Sequence, residues 1–112
     1  LDRAKMVAEE FEDELMDGRI MLCYANIHYT QKKYDKSKES ITNAIDHFQN
    51  INNNNLILES MILLIQLHLE TSDFDLANKV FRKCNRISKR VKDPIILSAL
   101  KTLALDEKLN ID

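Results

Sequence analysis

Apolar residues recur along this chain at alternating spacings of three and four, the mark of helices that bury one face. Six such segments are read. Residues 2–12 align Ala4, Val7, Ala8 and Phe11, and residues 16–31 align Ile20, Met21, Tyr24, Ala25 and His28. Residues 35–51 place Ser37, Ile41, Ala44, Phe48 and Ile51 on one stripe. Residues 56–71 are apolar nearly all round, so this helix has to be covered on more than one side. Residues 74–91 set Ala77, Val80, Phe81, Cys84, Ile87 and Val91 against a basic opposite face. The sixth segment starts at Asp93-Pro94, a capping residue followed by a residue suited to the first helical position, and runs through Leu97, Leu100, Leu103 and Ala104. Short polar breaks at Lys32-Lys33, Asn52–Asn55 and Thr71-Ser72-Asp73 separate the later segments.

The pattern repeats. A shift of 40 residues lays Met21 on Met61, Tyr24 on Leu64 and His28 on His68. It also lays Tyr34-Asp35 on Phe74-Asp75, Ser37 on Ala77, Ile41 on Phe81, Ala44 on Cys84 and Ile51 on Val91. Small falls on small and large on large, as two copies of one packed helical hairpin require. A hairpin of this size cannot bury its faces alone, so the expected fold is all-α, with stacked antiparallel hairpins forming a solenoid of about six helices.

The stretches Tyr34-Asp35-x-Ser37…Ile41…Ala44 and Phe74-Asp75-x-Ala77…Phe81…Cys84 resemble tetratricopeptide repeats. In that family an aromatic-Asp pair opens the second helix and is followed by small, large and small residues. Ala25 matches the family's small position where the two helices cross, and Ile65 departs from it. The period of 40 is longer than the family's usual ~34 and is similar to that of bacterial signalling proteins, including peptide-sensing regulators and sensor domains ahead of output enzymes. The resemblance implies one TPR-like domain over 1–112. Residues 1–13 would be the second helix of a preceding repeat, 16–51 and 56–92 two repeats, and 93–112 the first helix of a following one. Glu107, Ile111 and Asp112 would then echo Glu70, Phe74 and Asp75. With Leu as first residue, the chain reads as a segment of a larger protein.

The family uses the first helix of each hairpin to line a groove. Carried over, its groove positions are Arg19, Leu22, Cys23, Asn26, Tyr29 and Thr30, then Glu59, Ile62, Leu63, Gln66, Leu69 and Glu70. Asn26 and Gln66 fall at one position of successive repeats, and a side-chain amide both donates to and accepts from the backbone of an extended peptide. Members that grip a terminal carboxylate carry Lys where this chain has Leu22 and Ile62, which argues against a carboxylate clamp. The implied function is a non-catalytic protein- or peptide-binding module, the sensor or docking region of a cytoplasmic signalling or regulatory protein. The alternative is a scaffold that self-associates through its repeat ends.

Composition narrows the chemistry. One Gly and one Pro in 112 residues leave too little turn punctuation for a sheet protein. The apolar run Leu56–Leu69 is interrupted by Glu59, Ser60, Gln66 and His68 and falls short of the ~18 residues of a membrane span, so no membrane partner is expected. No signal peptide opens the chain, and Cys23 and Cys84 form no Cys-x-x-Cys pair, which fits a reducing cytoplasm. The acidic pairs Glu9/Glu10 and Asp13/Glu14 lie in a hydrophilic stretch, the serines lack a nucleophile turn, and Gly18 alone makes no phosphate loop. No enzyme, cofactor or metal site is expected. His28 and His68 have no acid or Cys on their stripe and read as packing residues, and His47, beside Asp46, reads as surface.

Charge is segregated. Residues 1–17 hold seven acids against Arg3 and Lys5, while residues 76–92 hold seven bases and no acid, within a net charge of −2. Solvated faces, a basic surface for an acidic partner or nucleic acid, and head-to-tail contact between copies are the three readings. Tyr24, Tyr29 and Tyr34 lie away from residues 79–92, which argues against nucleic acid, since that needs aromatic and basic groups on one surface.

Overall fold

The computed structural model describes residues 2–106 and 108–109, which form five helices: α1 (Asp2–Thr30), α2 (Tyr34–Asn50), α3 (Asn54–Glu70), α4 (Phe74–Ser88) and α5 (Pro94–Ala104). The chain is all-α over these residues. The side chains of Asp2, Arg3 and Ala4, and the expected echo at Glu107, Ile111 and Asp112, lie outside what is described. Among the described residues no helix is long and apolar enough to cross a membrane.

The helices after the first begin at residues 34, 54, 74 and 94, each twenty after the last. One device sets three of these steps. Lys32, Asn52 and Ser72 adopt the left-handed conformation, with φ of 61°, 54° and 64°. The next amide in each case closes back on the carbonyl five residues earlier: Lys33 on His28 at 2.8 Å, Asn53 on Phe48 at 3.0 Å, Asp73 on His68 at 2.8 Å. The left-handed residue itself donates to Tyr29, Gln49 and Leu69 respectively. These are Schellman caps built without glycine. α5 is entered differently, through an extended Asp93 whose Oδ1 accepts from the Ile95 amide at 2.9 Å, with Pro94 following.

The expected break between residues 12 and 16 is absent, because α1 is one helix of 29 residues. A run of glutamates is hydrophilic yet favourable to helix, so polarity alone does not end it there. α5 is also shorter than expected. It stops at Ala104, and Asp106 turns the chain, accepting from Lys108 N at 2.9 Å through Oδ1 and from Leu109 N at 3.1 Å through its carbonyl.

The chain divides into two compact units, one through Asn53 and one from Asn54. In the first, α1 and α2 form an antiparallel hairpin pinned at three levels. Near the turn, buried Ser37 Oγ donates to the Ala25 carbonyl at 2.8 Å. In the middle, Gly18 lies against Phe48, and at the far end Glu14 meets His47 and Asn50. A Cβ at Gly18 would stand 2.8 Å from Phe48 Cζ, 2.9 Å from Cδ1 and closer still to Cε1, so the missing side chain is what admits the ring. Ile20 and Tyr24, read from sequence on the same face as Ala25, are instead 40% and 49% exposed. The stripe facing α2 runs through Glu14, Gly18 and Ala25 and is narrow, because two small residues let the helices approach. Residues 2–13 run on past the last turn of α2.

In the second unit α3 packs against both α4 and α5, which accounts for its apolar circumference. Ile57, Leu58, Met61, Ile62, Leu64, Ile65 and Leu67 are all buried. α4 buries Ala77, Phe81 and Cys84, the counterparts of Ser37, Ile41 and Ala44 in α2, which are buried as well. Bulk is traded between the hairpins at one level. Gly18 and Phe48 in the first correspond to Leu58 and Ser88 in the second, so the large side chain moves from one helix to the other. Residues 108–109 lie against α4: the Lys108 ammonium lies 5.2 Å over the Phe74 ring, Asn78 Nδ2 donates to the Lys108 carbonyl at 3.3 Å, and Leu109 is buried.

Candidate functional site

A helix covered on two sides keeps only a narrow strip for a partner. On α3 the exposed residues are Asn55, Glu59, Leu63, Gln66 and Glu70, at spacings of four, four, three and four. That is one continuous stripe, and four of its members are groove positions read from the sequence. The counterpart stripe on α1 is Arg19, Cys23, Asn26 and Thr30, all exposed.

The remaining predicted groove residues are less open. Leu22 and Leu69 are half-buried, and Ile62 is only 6% exposed, which makes it a packing residue with no surface to offer. Tyr29 is 42% exposed and sets its ring edge-on to Tyr34, centroids 5.9 Å apart, while Thr30 Oγ1 donates to the Ile27 carbonyl at 2.7 Å. The two stripes belong to different units, and each is described within its own.

The second unit adds a feature that sequence reading missed. Gln66 stands at the edge of a cleft of about 580 Å³ between α3 and α5, walled by Ala99, Thr102, Leu103, Leu105 and Asp106. Leu105 is 82% exposed at its rim. The cleft thus sets apolar walls beside an amide, a hydroxyl and a carboxylate, a composition suited to holding a chain segment by its backbone and one apolar side chain. Helical periodicity puts Thr102 on the open side of α5, with Leu105 just past its end, but cannot say that α3 supplies the facing residue.

The nucleophilic and titratable groups are dispersed. The Cys84 thiol is fully buried and desolvation pushes it up to about 12, leaving it inert, whereas Cys23 is exposed. Among the described residues His28 Nδ1 and Ser60 Oγ are buried without a hydrogen-bond partner, and His68 is buried at the position equivalent to His28. Both histidines supply the carbonyl that closes a Schellman cap, so they hold equivalent places in their hairpins. His47, read as surface, is half-buried, and its Nδ1 lies 2.7 Å from Glu14 Oε2. That contact, with Asn50 donating to the same oxygen, holds the Glu14 carboxyl below its ordinary range. Among the described residues no group of three or more His, Cys, Asp or Glu is placed to share a metal ion. No known protein family, curated protein or solved structure matched the chain.

Proposed function

We propose that the chain is a non-catalytic docking module of tetratricopeptide-like type, whose hairpins offer the open stripes of their first helices to a protein or peptide segment. The observation that carries this reading is the α3 stripe. On a helix otherwise enclosed, Leu63 and Gln66 stay open, and Gln66 borders the cleft with α5. The Gln66 amide pairs with the backbone of an extended segment, and covering Leu63 and Leu105 supplies apolar area at about 25 cal/mol per Å². Asn26 repeats the amide on α1. In this reading the stacked-hairpin solenoid serves as the sensor or docking region of a larger cytoplasmic signalling or regulatory protein.

The test is selection of ligands from a random peptide library displayed on phage, with the chain immobilised. Peptides enriched on the chain are expected to lose affinity for Asn26→Ala/Gln66→Ala by about 0.5–1.5 kcal/mol per lost hydrogen bond, with helicity unchanged. Leu105→Ser is expected to weaken the same peptides. Affinities indifferent to all three changes would remove this surface from the mechanism.

A further inference from the structure

The charged segments leave two surfaces that the docking reading does not use. On α4, Lys79, Arg82, Lys83 and Arg86 are exposed, as are Lys89 and Arg90 just past its end, and none of the six is ion-paired among the described residues. At 100° per residue the four bases on the helix lie opposite buried Ala77, Phe81 and Cys84. Over the ~10 Å of helix from Lys79 to Arg86 this face carries no acid, and Asp75 stands one turn ahead of Lys79 on the same side. Basic residues favour a helix C-terminus, but that effect fades beyond the last turn, and Lys79, Arg82 and Lys83 lie further back. Leu76, 48% exposed, sits beside Lys79 and Lys83 on the same side.

The second surface is the overhang of α1. Where α1 outruns α2, Val7 and Phe11 continue the apolar stripe into solvent at 60% and 46% exposure. With Ile51 and the carboxylates Glu10, Asp13 and Asp17 they line an open cleft of about 530 Å³. These acids also lie beyond the first turn of their helix, where the dipole would account for them. An apolar floor flanked by acids therefore stands on one unit, and an exposed leucine flanked by bases on the other.

We infer that α4 of one copy docks into the α1 overhang of a second copy, with Leu76 set against Val7 and Phe11 and the lysines and arginines against Glu10, Asp13 and Asp17. The contact is heterologous, so it leaves a free donor and a free acceptor and builds chains unless two contacts close on each other. Charge complementarity within one sequence selects a second copy as occupant. Single-stranded nucleic acid would also use aromatic groups on the basic face, and Phe81 is buried while Phe74 lies beneath Lys108.

Sedimentation of the chain at ~10 mM salt is expected to show mass rising with concentration, and at ~1 M salt, where the Debye length is ~3 Å, a return to monomer. Two triple variants test the pairing: Lys79→Glu/Lys83→Glu/Arg86→Glu and Glu10→Lys/Asp13→Lys/Asp17→Lys. All six positions are exposed, and circular dichroism checks that helicity is retained. Each variant alone should associate at least ~10-fold more weakly at low salt, because attraction becomes repulsion, and an equimolar mixture should associate again. A wild-type chain that stays monomeric at low salt would overturn the proposal. So would association indifferent to either reversal, or a mixture that fails to recover it. A monomer retained on single-stranded DNA would assign the basic face to a polyanion instead.

Discussion

Replacing Gly18 by Ala sets two measured tendencies against each other. In a helix interior Ala is better than Gly by about 0.8–1.0 kcal/mol. Against that, the new methyl would meet three ring carbons of Phe48 inside 3.0 Å. Phe48 is fully buried, so the ring cannot swing into solvent and the helices have to part or the ring has to leave its rotamer. Overpacking of this kind costs about 1–3 kcal/mol, and contact with three atoms of a confined ring belongs in the upper half of that range. The net expectation is a loss of about 1–2 kcal/mol. All three tyrosines, Tyr24, Tyr29 and Tyr34, lie in the α1–α2 hairpin and the chain has no Trp, so urea unfolding followed by tyrosine fluorescence reports this unit. In a Phe48→Leu background the same Gly18→Ala change should become neutral or stabilising, a coupling of about 1–2 kcal/mol between the two sites. Refutation would be a Gly18→Ala chain more stable by the full ~1 kcal/mol of helix propensity, since Phe48 would then not rest on the Gly18 backbone.

Three further outcomes are expected. Lys32→Gly and Ser72→Gly should each stabilise by about 0.5–1 kcal/mol in denaturant melts, because a non-glycine left-handed residue carries a steric cost of about 1–2 kcal/mol that the entropy of the added glycine only partly offsets. With a thiol-specific chromogen at neutral pH, Cys23 should react at once and Cys84 only as fast as the chain unfolds. For the Glu14–His47 pair, the folded-state pKa of Glu14 is lowered, so its contribution is fully present above the unfolded pKa and is lost as pH falls through the folded one. Melts across the acid range should show a steeper loss for wild type than for Glu14→Gln, and parallel curves would remove the contact from the stability of the hairpin.

The fold was legible where helix identity rests on local pattern and opaque where it rests on a neighbour. Four of the five breaks expected between segments are present, after α1, α2, α3 and α4. Asp93-Pro94 caps α5 as its residue types imply, and α3, apolar all round, is indeed covered by two helices. The break expected near residue 14 is absent because polar glutamates are favourable inside a helix and do not by themselves make a turn. Ile20 and Tyr24 were misplaced for a related reason: periodicity finds an apolar stripe but not its width, and the small residues Gly18 and Ala25 decide which part of α1 meets α2. At the candidate site, Glu59, Leu63, Gln66 and Glu70, groove positions implied by the tetratricopeptide resemblance, are exposed together. Ile62 lies only three residues from Glu59 yet faces inward, and Thr102, Leu105 and Asp106 join Gln66 through a packing that no local signal encodes. His47 finds Glu14 across 33 residues, a pairing of the same non-local kind.

The most direct test of the docking surface is an NMR titration of isotope-labelled chain with a peptide obtained by the library selection. Amide shifts are expected to concentrate at Leu63, Gln66, Thr102, Leu105 and Asp106, around the cleft between α3 and α5. Shifts confined to the basic face of α4, or to α2, with those five amides unmoved, would contradict the account.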